Sequence, residues 1–183
     1  MTDSRPLANV FGALALAVAD DLRDVTELAA GHGAAGPSAL VALHEFLDHP
    51  TVEELRRVVG LTHAGAVRLV DRLEQQGYVV RRAGHDARSI SVVLTATGRA
   101  AARRVLAARA AALDTVLAEL TAEERTSLAA LSATLLGSIT RRRMADRARD
   151  DPPRNGWLCR LCDLEACGRA RGECPAAAAA AAF

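Results

Sequence analysis

Four cysteines near the C-terminal end are the residues whose type and spacing most directly suggest chemistry. All of the chain's cysteines lie within residues 159–174 with the spacing C-x2-C-x4-C-x6-C, and this segment contains no histidine. In a reducing compartment, thiols this close together serve more readily as metal ligands than as disulfides. We therefore predict a metal site. Its predicted ligands are Cys159, Cys162, Cys167 and Cys174.

The spacing leaves two kinds of metal centre open, because four thiolates suit either a tetrahedral zinc ion or an iron–sulfur cluster. Structural zinc sites often use two C-x2-C knuckles, whereas this segment has one and ends in Cys174-Pro175, like several iron–sulfur motifs. The pattern favours an iron–sulfur cluster over zinc. Redox-active thiols without metal are a third alternative. No organic cofactor is predicted.

A second group of candidate residues lies at 51–95, which hold seven arginines against five acidic residues. All 23 basic residues of the chain are arginine, whose planar guanidinium suits phosphate and guanine. The net charge of the whole chain is only +1. Any affinity for DNA must therefore come from the local placement of these charges.

The residues around these arginines predict two short helices joined by a tight turn. Thr51 and Glu54 have the spacing of a capping box, and Gly60 supplies the left-handed backbone that ends the first helix. Thr62 caps the second helix. The β-branched runs 78–80 and 90–94 then predict a hairpin with a polar tip. This order is a winged helix-turn-helix, which fits the grooves of duplex DNA.

The exposed face of the second helix supplies candidate DNA contacts. Arg68 and Arg72 lie one turn apart and can reach a base edge or a phosphate, whereas the alternative is a surface salt bridge with Asp71 or Glu74. His63 lies in the first turn, where base contacts concentrate in such proteins. The contacts predicted from this helix are Thr62, His63, Ala64, Arg68 and Arg72.

Two motifs carry a more specific resemblance. Asp86-Ala87-Arg88 is followed five residues later by Leu94-Thr95, and the run 69–74 is followed by Gly77. Together they resemble the wing signature and recognition-helix end of the MarR family of bacterial transcription regulators, over residues 5–145. The resemblance implies a homodimer on a pseudo-palindromic operator and a small-molecule effector. It also implies that Arg88 enters the minor groove and that Asp86 orients the wing.

The flanking segments predict dimerisation helices, because their apolar stripes have no partner within a winged domain. The N-terminal stripe is Leu7, Phe11, Leu14, Val18, Leu22 and Val25; the C-terminal stripes contain Leu113, Leu117, Leu128, Leu131 and Leu135. The predicted fold is mainly α with a small β-hairpin, a winged helix-turn-helix with dimerisation helices from both termini. The predicted units are 1–36, the N-terminal dimerisation helix and linker; 37–97, the DNA-binding domain; 98–149, the C-terminal dimerisation helices; and 150–183, a cysteine-rich tail with a poly-alanine end to which no role is assigned.

These features predict a DNA-binding transcription regulator, a repressor that responds to a ligand, metal or redox signal, and not an enzyme. The alternatives are a thiol redox enzyme that uses the C-x2-C pair and a winged-helix module for protein association alone. The apolar run 7–19 resembles a secretory signal, but its helical stripe continues through Val25. No stretch is long enough to span a membrane, so we expect a cytoplasmic protein.

Overall fold

The computed structural model describes residues 4–31, 33, 35–84, 89–148 and 156–183. These residues form a mainly helical fold with one antiparallel hairpin, as predicted. The helices are α1 (Arg5–Ala30), α2 (Gly36–Glu45), α3 (Val52–Val59), α4 (His63–Gln75), α5 (Ala96–Ala118), α6 (Ala122–Ala148) and α7 (Pro175–Ala181), the strands are β1 (Val79–Ala83) and β2 (Ile90–Leu94), and short 3-10 turns occupy Leu158–Leu161 and Arg169–Arg171. Within the described ranges, every helix is too short or too polar to cross a bilayer.

The helix-turn-helix has the caps that the sequence predicts. The Thr51 hydroxyl accepts a hydrogen bond from the Glu54 amide at 3.2 Å, and the Thr51 amide donates to the Glu54 carboxylate at 2.8 Å. Gly60 ends α3 with a φ of 76°, in the left-handed region. The hydroxyl of Thr62 then accepts from the amide of Gly65 at 3.1 Å and starts α4. Local chemistry therefore fixes both helix starts and the turn between them.

The core lies where α2, α3, α4, the hairpin and α5 meet, and α1 packs along α5. Leucine and valine side chains fill this core, as expected for a chain with few aromatic residues. Its largest fully buried apolar members include Leu40, Leu55, Leu69, Leu73, Val92 and Val105.

Two element boundaries differ from the predicted ones. The helix predicted to open at Thr97 and Gly98 begins at Ala96, because the hydroxyl of Thr95 accepts from the amide of Gly98 at 3.0 Å. Strand β1 continues to Ala83, opposite Ile90, so it extends beyond the predicted run 78–80. A local side-chain cap therefore sets the start of α5, and pairing with β2 sets the end of β1.

The N-terminal apolar stripe is exposed in the single chain. Leu7, Phe11 and Leu14 on α1 have 51 to 72% of their surface exposed, and Leu131 on α6 has 63%. Burial of α1 begins only near its end, at Thr26 and beyond. The predicted burial of these stripes against a second subunit stays a prediction.

The cysteine-rich tail lies against the body of the molecule. Gly156 is buried against α3. Helix α7 packs along α6, so closely that a Cβ added to Gly137 of α6 would lie 3.9 Å from the Cβ of Ala179. The alanine run to which no role was assigned is helical, because alanine has the highest helix propensity and Pro175 suits a first helical position. The tail is therefore part of the fold.

Candidate nucleic-acid interface and cysteine site

The predicted contact face of α4, which we call the recognition helix, is exposed as expected. Its buried side is formed by Ala66, Leu69, Val70 and Leu73. The opposite side faces solvent and carries all of the contacts predicted from this helix. These exposed residues are Thr62, His63, Ala64, Arg68 and Arg72.

The alternative prediction for Arg68 and Arg72, a surface salt bridge with a neighbouring acidic residue of α4, was wrong. Within the described residues neither arginine forms a salt bridge, because Asp71 and Glu74 both bind Arg81 of β1. Nη2 of Arg81 lies 2.6 Å from Oδ1 of Asp71, and the amide of Arg81 donates to Oε1 of Glu74 at 3.0 Å. Burial tends to lower the pKa of Arg81, but the hydrogen bonds to these two carboxylates outweigh it and raise the pKa.

His63 faces an acidic neighbour on α3. Its Nδ1 lies 3.7 Å from a carboxylate oxygen of Glu53, while the imidazole remains 70% exposed. The same carboxylate accepts two hydrogen bonds from Arg56, at 2.5 and 2.7 Å. The hydrogen bond from Arg56 is the largest of the effects that lower the pKa of Glu53. His63 therefore lies at the junction of α3 and α4, where its imidazole can meet either Glu53 or a ligand.

The wing is described only along its two strands. Arg82 on β1 is exposed beside the partly buried Arg81, and the amide of Gly84 donates to the carbonyl of Ser89 at 2.8 Å. The predicted minor-groove residue Arg88 and the predicted wing residue Asp86 lie outside the described residues.

Cys159 lies within the 3-10 turn Leu158–Leu161, and Cys162 follows its end. The Cys162 thiol donates to the Leu158 carbonyl at 4.0 Å, and Nη1 of Arg169 lies 3.6 Å from the Cys159 sulfur. The neighbouring Cys162 thiol, aided by the charge of Arg169 and opposed by burial, lowers the pKa of Cys159 to about 6. The neighbouring Cys159 thiol and burial raise the pKa of Cys162.

Cys174 is buried, and the Cys167 thiol donates to the Leu164 carbonyl at 3.5 Å. Burial is the largest effect that raises the pKa of Cys167, and the nearby Cys174 adds to it. Among the described histidine, cysteine, aspartate and glutamate side chains, no group of three could hold a metal ion. The structure therefore does not gather three or more of the predicted ligands around one point.

The tail is attached to the DNA-binding helices by contacts that the sequence did not predict. The Trp157 ring stacks on Phe46 with centroids 6.0 Å apart and an interplanar angle of 3°. The amide of Trp157 donates to the carbonyl of Val58 in α3 at 2.8 Å, and the amide of Leu164 donates to the Glu45 carboxylate at 2.8 Å. The one tryptophan of the chain, two residues before the first cysteine, was the available signal.

Comparison with known proteins agrees with this geometry. The model of the MarR family matches residues 37–89. The MarR family protein Rv2887 of Mycobacterium tuberculosis, solved in complex with p-aminosalicylic acid, is 31% identical, with a TM-score of 0.52 over 68% of this chain and 96% of that one. The chain belongs to the MarR family. The resemblance noted in the wing and recognition-helix motifs is confirmed.

Two further proteins are similar to this MarR chain. YwhA, an uncharacterised HTH-type transcriptional regulator of Bacillus subtilis, is 30% identical over 86 residues, which are 46% of this chain and 62% of YwhA. Sco3205 of Streptomyces coelicolor, a MarR family regulator solved in complex with DNA, shares the fold at 22% identity, with a TM-score of 0.58 over 76% of this chain and 92% of its own. The residues matched by the family model end before the cysteine tail of this MarR protein.

Proposed function

We propose that this MarR family chain is a cytoplasmic transcription regulator, a dimeric repressor that binds a pseudo-palindromic operator through α4 and the wing. One observation carries the proposal. Arg68 and Arg72 are exposed on one face of the recognition helix, and within the described residues they form no ion pair. Arg81 neutralises the acidic groups beside them, so the face presents its positive charge to solvent. An arginine so placed can bind guanine or phosphate.

Dimerisation follows from the apolar surface that the single chain leaves exposed. Apolar side chains on two helices are exposed to solvent: Leu7, Phe11 and Leu14 of α1 and Leu131 of α6. The same helices of a second copy would bury them. A two-fold axis would then present two recognition helices to two half-sites about one helical turn apart. Sco3205, which has the same fold, was solved in complex with DNA, and this supports the DNA-binding part of the proposal.

The test measures binding of duplex fragments that the protein selects from a random pool. Arg68→Ala and Arg72→Ala should each weaken operator binding by about 1–3 kcal/mol, either with relaxed base preference or with a reduced salt slope. Arg103→Ala is the matched control, because it removes the same charge from an exposed position on α5. If all three variants bind equally, α4 is not the DNA-contacting element. Absence of any selected sequence would favour a module for protein association.

Response to a small molecule is a second part of the proposal. A cavity of about 160 Å³ lies between α2, β2 and α5, lined by His44, His49 and Arg99 among others. The guanidinium of Arg99 in this cavity suits a carboxylate, and the p-aminosalicylic acid complex of Rv2887 supplies the probe. We expect p-aminosalicylic acid to weaken operator binding by the wild-type chain and less so by Arg99→Ala. An unchanged dissociation constant with saturating probe would exclude this compound class.

A further inference from the structure

We propose that a cavity between the tail and α6 is a binding site for a short-chain aliphatic carboxylate. The cavity has a volume of about 210 Å³, and residues of α6, α7 and the two 3-10 turns of the tail line it. Its lining combines three arginines, Arg143, Arg147 and Arg169, with mainly apolar side chains. It shares no lining residue with the cavity between α2, β2 and α5, so it is a separate site.

The positive charge of this cavity is not neutralised by a salt bridge within the described part of the chain. The arginine salt bridges found there lie elsewhere, at Arg23, Arg56, Arg57, Arg81 and Arg171. None of the described residues that line the cavity is aspartate or glutamate. Arg143 and Arg147 are half-buried, so water and salt screen their charges less than those of exposed arginines. The cavity therefore attracts an anion.

One anionic group of the lining already has a cationic partner. The neighbouring Cys162 thiol, and then the charge of Arg169, lower the pKa of Cys159 to about 6 against the effect of burial, so its sulfur is ionised at neutral pH. Nη1 of Arg169 lies 3.6 Å from that sulfur. Because Arg169 balances the thiolate, Arg143 and Arg147 remain for a ligand.

The guanidinium groups of Arg143 and Arg147 have donors to spare. Each group carries five N–H donors. Arg143 donates to the Gly156 carbonyl at 3.2 Å, and Nη1 of Arg147 lies 4.0 Å from the sulfur of Met144. Burial and the repulsion of neighbouring arginines lower the pKa of Arg143, and a bound anion would oppose that effect. A carboxylate can be held here by two parallel N–H···O bonds.

The apolar part of the lining suits a short, unbranched chain. Helix α7 contributes the small side chains of Ala177 and Ala180, and Met144 and Leu158 add longer apolar ones. A volume of about 210 Å³ holds about seven groups of the size of a water molecule. Pockets for drug-sized ligands are larger, at about 300–1,000 Å³. The cavity therefore matches a carboxylate of about six carbons.

Trp157 favours an aliphatic over an aromatic ligand. Its ring already has two partners, because Phe46 stacks on it and the guanidinium carbon of Arg147 lies 5.9 Å from its centroid. The ring is therefore not an open platform on which an aromatic ligand could stack. Trp157 is also the one tryptophan of the chain, so its fluorescence reports directly on this cavity.

The binding test titrates the full-length protein with sodium hexanoate and follows the fluorescence of Trp157. We expect a saturable change. Across the series from propanoate to hexanoate, affinity should rise by about fourfold for each methylene group that enters the cavity. Benzoate should bind more weakly than hexanoate, and hexylamine, which carries the opposite charge, should leave the fluorescence unchanged.

The variant test uses calorimetry, since changes in the lining also alter the surroundings of Trp157. Arg143→Ala and Arg147→Ala should each weaken hexanoate binding by at least about tenfold. Arg142→Ala is the matched control, because Arg142 is exposed on the same helix and does not line the cavity. Ala180→Leu keeps every arginine and fills part of the cavity, so it should weaken binding of hexanoate more than of propanoate.

Three outcomes would overturn the proposal: no saturable response of the wild-type chain to hexanoate, binding of phosphate as tight as that of hexanoate, or equal weakening by Arg142→Ala and Arg143→Ala. The first would leave no site, the second no role for the apolar lining, and the third only long-range attraction. Arg99→Ala changes the other cavity and should keep hexanoate binding; loss of binding in that variant would place the ligand there instead. None of these measurements involves DNA, so their outcome is independent of the proposed function.

Discussion

Arg81 of β1 reaches back to Asp71 of α4, with its Nη2 2.6 Å from Oδ1. The same guanidinium contacts Glu74, so one side chain joins the first wing strand to two turns of the recognition helix. The Arg81 side chain is only 28% exposed, and this limits screening of the pair by water. The orientation of the wing is therefore tied to that of the helix.

Replacing Arg81 tests this connection. Arg81→Ala leaves two carboxylates without their partner and should lower the free energy of unfolding by about 1–3 kcal/mol. Operator binding should also weaken, because Asp71 and Glu74 would then repel phosphate. Urea titration and fluorescence anisotropy measure the two effects. Arg82→Ala, on the exposed side of the same strand, is the control, and equal stability of the two variants would contradict the role of Arg81.

Arg88 remains the residue predicted for the minor groove. Arg88→Ala should weaken operator binding by about 1–3 kcal/mol and reduce the dependence on salt by about one counterion. A salt titration of the dissociation constant measures both. Arg103→Ala is again the control for charge, and an unchanged affinity and slope for Arg88→Ala would remove the wing tip from the interface.

Gly98 is required by a close approach of two backbones. A Cβ at this position would lie 2.0 Å from the Tyr78 carbonyl oxygen, so Gly98→Ala should lower the free energy of unfolding by about 3 kcal/mol. Gly137→Ala, inside α6, would meet its neighbours at 3.5 Å or more and should be neutral or slightly stabilising. Thermal unfolding of the two variants compares them, and a stable Gly98→Ala protein would show that the approach can relax.

The capping box of α3 predicts a dependence of stability on pH. Hydrogen bonds from the Thr51 amide and then its hydroxyl lower the pKa of Glu54 from its ordinary 4.5. A lowered folded-state pKa stabilises the protein above the unfolded value, and that contribution is lost as pH falls through the folded value. Wild type should therefore exceed Glu54→Gln in stability at neutral pH and lose this advantage below about pH 4.

Denaturant titrations across this range measure the effect, with exposed Glu119→Gln as the control. A constant difference between wild type and Glu54→Gln at all pH values would show that the carboxylate charge of Glu54 does not contribute.

The exposed stripe of α1 should be the surface of a dimer. Phe11→Asp places a charge in the centre of that stripe and should shift the protein towards monomer, as sedimentation would show. Asn9→Asp adds the same charge away from the stripe and should leave the assembly unchanged. Identical sedimentation of the two variants would place the dimer contact elsewhere.

Short-range signals made the winged domain predictable. Thr51, Thr62 and Gly60 each act on a backbone group within four residues, so their spacing in the sequence is sufficient evidence. The partner of Asp71 was not predictable in this way, since the helical pattern favours neighbours one turn away and Arg81 lies on the next element. The helical spacing of apolar residues in α4 correctly predicted that Arg68 is exposed. That spacing could not show that Asp71 binds Arg81 instead of Arg68.

The docking of the tail could not be read from local patterns. Trp157 stacks on Phe46, and neither the polarity nor the spacing of residues 157–174 identifies that partner. The cysteine spacing alone therefore predicted a metal site without indicating where the tail docks.

The hydrogen bond from Trp157 to Val58 also has a consequence for synthesis on the ribosome. The two residues are roughly one hundred positions apart, so at about 5–20 residues per second the Val58 carbonyl waits roughly 5–20 s for its partner to be translated. During this interval the nascent winged domain has its own core, but the tail segment that packs on α3 has not yet been made. The tail therefore covers α3 of a newly made chain only after Trp157 has left the exit tunnel.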